Sequence, residues 1–197
     1  MKGTERTERR TQRREELLEA ALGVIRRQGR AASMEAMAAA AKITKPILYR
    51  YFGDREGLFN AVADRFAVEL IERIEDALSS PARPRDRLAK AIDSYVGFIE
   101  DDPELYGFVM EARMAVLLGV ADRVAVPIAR TIGEELRRVG ADSGPAEAWA
   151  YGIVGMVHLA GGHWAANPTL PRARLVDYLT ELVWKGMPGF AGTDFES

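Results

Sequence analysis

The sequence contains no cysteine, so disulfide staples, thiol redox sensing and thiolate metal sites are all excluded. Histidine is nearly absent too, with only His158 and His163, five residues apart on one apolar stretch. Five helical residues leave two side chains about 140° apart around the axis, so this pair cannot clasp one metal ion as residues four apart would. Each reads as a hydrogen-bonded interior or interface histidine, and His158 is also a candidate for lining a ligand pocket. No glycine-rich phosphate loop and no nucleophile elbow occurs. Glu100-Asp101-Asp102 reads as a helix end and cap, not as a carboxylate pair for acid–base work. The chain is therefore expected to be no enzyme and to carry no cofactor. Strand-like alternation of apolar and polar residues is missing as well, which points to an all-α fold. No charged start leads into an apolar h-region, so no secretory signal is expected and the cytoplasm is the default location. The most apolar stretch, Trp149 to Ala166, touches the lower limit of a membrane span. It lacks basic flanks, so no membrane partner is expected.

What is present is unevenly distributed. The formal net charge is −2, yet residues 1–60 carry 13 Lys/Arg and 8 Asp/Glu, a net of +5, and residues 61–197 carry 14 and 21, a net of −7. A basic end on an acidic body turns one face toward a polyanion. The charge shift suggests two domains, 1–60 and 61–197.

The most informative stretch runs from Ser33 to Leu58, SMEAMAAAAKITKPILYRYFGDREGL. Ser33 is a natural N-cap for a short helix from Met34. Met37, Ala38 and Ala41 give that helix a narrow stripe of mostly small side chains that a second helix can cross closely. Lys42-Ile43-Thr44 forms a turn, with Ile43 inward and Thr44 capping the next helix. Lys45 and Pro46 occupy its first turn, where a missing N–H costs little. Leu48 and Phe52, four apart, take the buried face, leaving Thr44, Lys45, Tyr49, Arg50 and Tyr51 outside. Cations and hydroxyls suit phosphates, and flat rings suit sugars and base edges.

This stretch resembles the helix-turn-helix of the TetR family of transcriptional regulators. The resemblance rests on Met37-Ala38, Ala41-Lys42-Ile43-Thr44, Leu48-Tyr49-Arg50-Tyr51-Phe52 and Asp54-Arg55-Glu56, and covers roughly Leu17 to Phe66. Lys42 stands where the family usually has glycine, at a cost of about 1 kcal/mol for a side chain at positive φ. The candidate DNA-contacting set is Ser33, Thr44, Lys45, Pro46, Tyr49, Arg50, Tyr51 and Arg55.

Around this motif, residues 1–14 read as a frayed arginine-rich arm, either a solvated tail or a weak phosphate or minor-groove contact. A first firm helix is expected over Glu15 to Gln28, from Leu17, Leu18, Ala21, Leu22 and Ile25. A fourth helix should start after an Asp54 cap and continue to about Leu78. Beyond the break at Ser79 to Pro84, helices are expected over about Arg85–Glu100 and from the Asp101-Asp102-Pro103 cap. Another, about Ala121–Val139, should start after an interruption at Gly119, with Pro127 kinking it or marking its true first turn. Two more cover about Pro145–Ala166 and Pro171–Gly186, the last with Leu175, Leu179, Leu182 and Val183 on one face.

Aromatic and methionine side chains at helical spacing are ordinarily core. Their number here suggests an apolar cavity between helices, with methionines that suit a promiscuous or lipid-like ligand. The candidate lining is Tyr95, Phe98, Tyr106, Met110, Met114, Leu117, Trp149, Ile153 and His158. The resemblance implies a small-molecule effector site here and a homodimer through the last two helices. It further implies a palindromic double-stranded DNA operator, most simply held by a repressor that a small apolar effector releases. A transcriptional activator with the same domain, and a ligand-binding protein with a vestigial DNA-binding domain, are the alternatives.

Overall fold

A computed structural model describes residues 2–110 and 114–186, and among them the fold is all-α. The helices are α1 (Lys2–Gln28), α2 (Met34–Ala40), α3 (Lys45–Phe52), α4 (Arg55–Ser79) and α5 (Pro84–Asp101), then α6 (Pro103–Met110), α7 (Met114–Arg138), α8 (Ala146–Ala166) and α9 (Arg172–Gly186). A 3-10 turn, Gly29–Ala31, follows α1. The chain forms two compact units, and α4 contributes to both, since the division falls between Phe66 and Ala67.

In the first unit, Leu17, Leu18, Ala21, Leu22 and Ile25 of α1 are buried, as are Met37 and Ala38 of α2, Leu48 and Phe52 of α3, and Leu58 and Val62 of α4. α1 packs on α2, and α2 on α3. This unit is larger than the basic stretch of residues 1–60, because the segment from Asp102 belongs to it. α6 lies against α1 and the 3-10 turn. Its Phe108 ring stacks on Phe59 at 4.6 Å, and Tyr106 meets Phe66 at 6.4 Å. Arg26 Nε donates to Asp102 Oδ2 at 2.6 Å. Asp102 also caps α6, its Oδ1 accepting from the Leu105 N–H at 3.4 Å.

In the second unit, α8 and α9 both pack on α5. The α5–α8 contact is close because position 161 is glycine. A Cβ there would stand 3.2 Å from Ile99 Cδ1 and from Tyr95 Cε1. Arg172, at the start of α9, lies over Gly97 of α5. It donates to Asp93 Oδ1 at 2.7 Å, to the Asp93 carbonyl at 2.9 Å and to Glu100 Oε2 at 3.3 Å. A separate apolar cluster joins Ala125, Ile132 and Leu136 of α7 to Ala146 and Ala150 of α8.

Three sequence expectations are corrected. The arginine-rich arm is helical from Lys2 onward. The core-packed part of α1 supplies the nucleus, and elongating an existing helix needs one hydrogen bond per residue and no apolar stripe. Gly119 does not interrupt α7, which runs from Met114 through Pro127. One helical glycine costs only about 1 kcal/mol, which the burial of Val124, Ala125, Ile132 and Leu136 offsets. Pro127 thus lies inside the helix and not in its first turn, and its carbonyl accepts from Thr131 Oγ1 at 3.1 Å. Leu182, expected on one face with Leu175, Leu179 and Val183, is 62% exposed where those three are buried.

Candidate nucleic-acid interface

The turn between α2 and α3 is built from backbone hydrogen bonds. The Ile43 N–H donates to the Ala38 carbonyl and the Lys42 N–H to the Ala39 carbonyl, both at 3.0 Å. This is the paired closure of a Schellman motif, which needs a left-handed residue after the cap. That residue is Lys42, at φ 55°, among the described residues the non-glycine at positive φ. Lys42→Gly should therefore stabilise the protein by about 1 kcal/mol. A thermal melt checks this, and a lowered midpoint would contradict it.

Ser33 caps α2, its Oγ accepting from the Ala36 N–H at 3.1 Å. Thr44 holds the N-cap position of α3, but its side chain makes no capping bond, contrary to the sequence expectation. The Thr44 carbonyl receives the Ile47 and Leu48 N–H groups instead, at 3.0 and 3.2 Å. Its hydroxyl is exposed beside Lys45 and Pro46. Ile43 is half-buried, less inward than expected.

The faces of α3 divide as the spacing predicts. Leu48 and Phe52 are buried, Arg50 is exposed, and Tyr49 and Tyr51 are half-buried. Arg50 lies over the Tyr51 ring at 5.6 Å and Lys45 over the Tyr49 ring at 5.8 Å. From beneath, Arg14 of α1 sits 4.9 Å from the Phe52 ring centroid. The helix ends at Gly53, φ 86°, and Asp54 caps α4 by accepting from the Gly57 N–H at 2.7 Å. Arg55 opens α4 and is exposed. The eight predicted residues thus lie along one helix-turn-helix and its exit.

Sequence reasoning missed Glu35. Its Oε1 accepts from Lys45 Nζ at 2.5 Å, across the turn. That hydrogen bond holds the Glu35 carboxyl below its ordinary pKa and the Lys45 ammonium above its own. Ten residues separate the two, and no sequence period links them.

A Tetracyclin repressor-like C-terminal domain matches residues 73–193, and the tetR family of bacterial regulatory proteins matches residues 17–62. The chain belongs to the TetR family. An HTH-type transcriptional regulator of Mycobacterium tuberculosis is 38% identical over 186 residues, 90% of this chain and 78% of the relative. The HTH-type transcriptional activator FasR of Mycolicibacterium smegmatis is 28% identical over 184 residues, 90% of this chain and 84% of the relative. A crystal structure of the regulator FadR from Bacillus subtilis in complex with stearoyl-CoA shares the fold, with a TM-score of 0.71 at 18% identity. That likeness covers 88% of this chain and 98% of FadR. This TetR-family chain is therefore a transcriptional regulator with a helix-turn-helix DNA-binding domain.

The predicted effector-lining residues fall in several places. Tyr106 and Met110 are on α6, in the first unit. Met114 and Leu117 lie outside the residues whose side chains are described. In the second unit, Tyr95 and His158 come together, with Tyr95 Oη and His158 Nδ1 hydrogen-bonded at 2.8 Å. Trp149 and Ile153 pack on the α7–α8 cluster. Phe98 is buried, with the Arg73 guanidinium 4.7 Å from its ring centroid. A surface cleft between α4 and α7 is lined by other residues, among them Ile71, Glu75, Val126, Pro127 and Arg130. Among the described residues no group of three or more His, Asp or Glu side chains could hold a metal ion, and no helix is long and apolar enough to cross a membrane.

Burial disfavours the imidazolium form of His158 and holds its pKa below the ordinary 6.5. The unfolded chain then binds the proton more readily, so this contribution to stability is intact above the unfolded pKa. It should decline as pH falls from about 6.5 through the lower folded value. Chemical denaturation at about pH 7.5 and 5.5 should show a smaller acid loss in His158→Gln, which cannot titrate. Equal losses in both proteins would contradict the assignment.

Proposed function

We propose that this TetR-family regulator is a one-component repressor that holds a palindromic operator as a homodimer and leaves it when a small apolar effector binds. The observation that carries the DNA-reading part is the outward side of α3. Lys45, Tyr49, Arg50 and Tyr51 gather there beside the uncommitted Thr44 hydroxyl, while Leu48 and Phe52 face the core. Ser33, Pro46 and Arg55 flank this surface and join the proposed DNA contacts. The net +5 of residues 1–60 supplies the attraction to phosphate.

The dimer is supported by apolar side chains on the outer faces of the last two helices. Leu159 is 73% and Leu182 62% exposed, with Tyr151 and Tyr178 also uncovered. Gly152 and Gly155 leave open space beside α8, where a helix of a second copy can approach. A two-fold dimer places two α3 helices on half-sites about 34–36 Å apart. In this reading residues 61–197 dimerise and receive the effector, with Tyr95, Phe98, Trp149, Ile153 and His158 among its contacts. α4 carries the response to the reading helix. The stearoyl-CoA in FadR supports an apolar, acyl-bearing effector. DNA and effector should then weaken each other's binding equally.

Footprinting on the region upstream of the protein's own coding sequence tests this. Two protected half-sites one helical turn apart, released by a long-chain acyl compound, are expected. Protection unchanged by every apolar compound tried would contradict the release step. One observation favours a second reading, activation, since the relative FasR is an activator. A reporter driven from the protected region decides the direction: output rises on deletion of a repressor and falls on deletion of an activator.

A further inference from the structure

The Glu35–Lys45 pair lies on the surface assigned to DNA. Glu35 is the second residue of α2 and Lys45 the first of α3, and their charged atoms meet at 2.5 Å. Both side chains stay open to solvent, at 67% for Glu35 and 39% for Lys45. The same ammonium lies 5.8 Å from the centroid of the Tyr49 ring. A lysine is ordinarily a mobile point charge that accepts any phosphate within reach. Here it is held from two sides.

The pair is poorly suited to bracing the fold. Exposed ion pairs contribute little to stability, and the α2–α3 turn is already closed by its Schellman hydrogen bonds. Its effect falls on DNA instead. A carboxylate on this face neutralises one cation for every partner, whatever the base sequence. Lys45 can reach a phosphate that lies away from the Tyr49 direction only by leaving Glu35. A site that offers an acceptor along the held direction, over Tyr49, needs no such exchange.

We propose that Glu35 is a positioning residue for sequence discrimination: it withholds Lys45 from arbitrary phosphates and aims it along the Tyr49 ring. This rests on the reading of α3 as the DNA-reading helix. The test compares four full-length proteins: wild type, E35Q, K45A and the double variant. Each is titrated at several salt concentrations against a duplex enriched by the wild type from a random library, and against a random-sequence duplex.

E35Q should bind the random duplex about five- to tenfold more tightly per protomer near ~0.1 M salt, with a log–log salt slope steeper by about 0.9, as one added phosphate contact requires. On the enriched duplex the gain should be smaller, so the preference for it narrows. In the K45A background E35Q should change neither affinity nor slope. Unchanged random-duplex binding by E35Q would overturn the proposal. So would an equal gain in the K45A background, which would mean simple repulsion by the carboxylate. A marked drop in the E35Q melting temperature would assign the pair to the fold and equally overturn it. Failure of the wild type to enrich any duplex would instead overturn the reading of α3, and this inference with it.

Discussion

Leu48→Ala should destabilise the protein by about 2–5 kcal/mol, the range for deleting a buried leucine whose cavity cannot fully collapse. Leu48 is 0% exposed at the centre of α3. The buried side chains of this unit come from α1, α2, α4 and α6 as well as α3, so the gap left by Leu48 is not expected to close by the shift of one element. A domain of this size holds only about 5–15 kcal/mol against unfolding, so DNA binding should disappear together with the helical melt. Circular dichroism during denaturation gives the number. A cost below about 1 kcal/mol would contradict the burial of this face.

The adjacent residue should behave in the opposite way. Tyr49→Ala is expected to leave the melt nearly unchanged and to weaken binding to the preferred DNA about ten- to hundredfold. A lost base or sugar contact of about 1–3 kcal/mol has that size. Tyr49 is half-buried and held by Lys45 on its outer side, with no part in the core. Lys45→Ala should also weaken binding, and it should reduce the salt slope on the preferred DNA by about 0.9 per protomer, as loss of one phosphate contact requires. Tyr49→Ala should leave that slope unchanged. Fluorescence anisotropy over a salt series separates the two. Equal loss of fold and of binding in Tyr49→Ala would contradict the division of α3 into a structural and a reading face.

That division was legible in the sequence because Leu48 and Phe52 are four apart and everything between them is polar or aromatic. The all-α architecture was legible for the same reason, from stripes such as Leu17-Leu18-Ala21-Leu22-Ile25. The departure at Lys42 could also be read, since the turn requires a left-handed residue and the structure gives Lys42 φ 55°. What escaped depends on partners distant in the chain. Phe59 and Phe108 stack although 49 positions separate them, and no periodicity announces that α6 joins the first unit. The N-terminal arm carries no apolar stripe, so only its attachment to a packed helix explains why it is helical. Gly119 and Pro127 are breakers by local propensity, and the packing of α7 prevails over both. Composition identified aromatic and methionine side chains as potential effector contacts. It could not say that Tyr95 meets His158 while Trp149 and Ile153 join a different cluster.

The most direct test of the central claim, that the outer face of α3 reads DNA sequence, is a titration of the unmodified protein at several salt concentrations. A duplex from the region upstream of its own coding sequence is compared with a scrambled duplex of equal composition. Binding to the upstream duplex should be tighter at every salt concentration, by about a thousandfold or more, with affinity for both falling steeply as salt rises. Equal affinity for the two, extended to duplexes drawn from the rest of the genome, would contradict it and leave residues 1–60 as a basic surface without a reader.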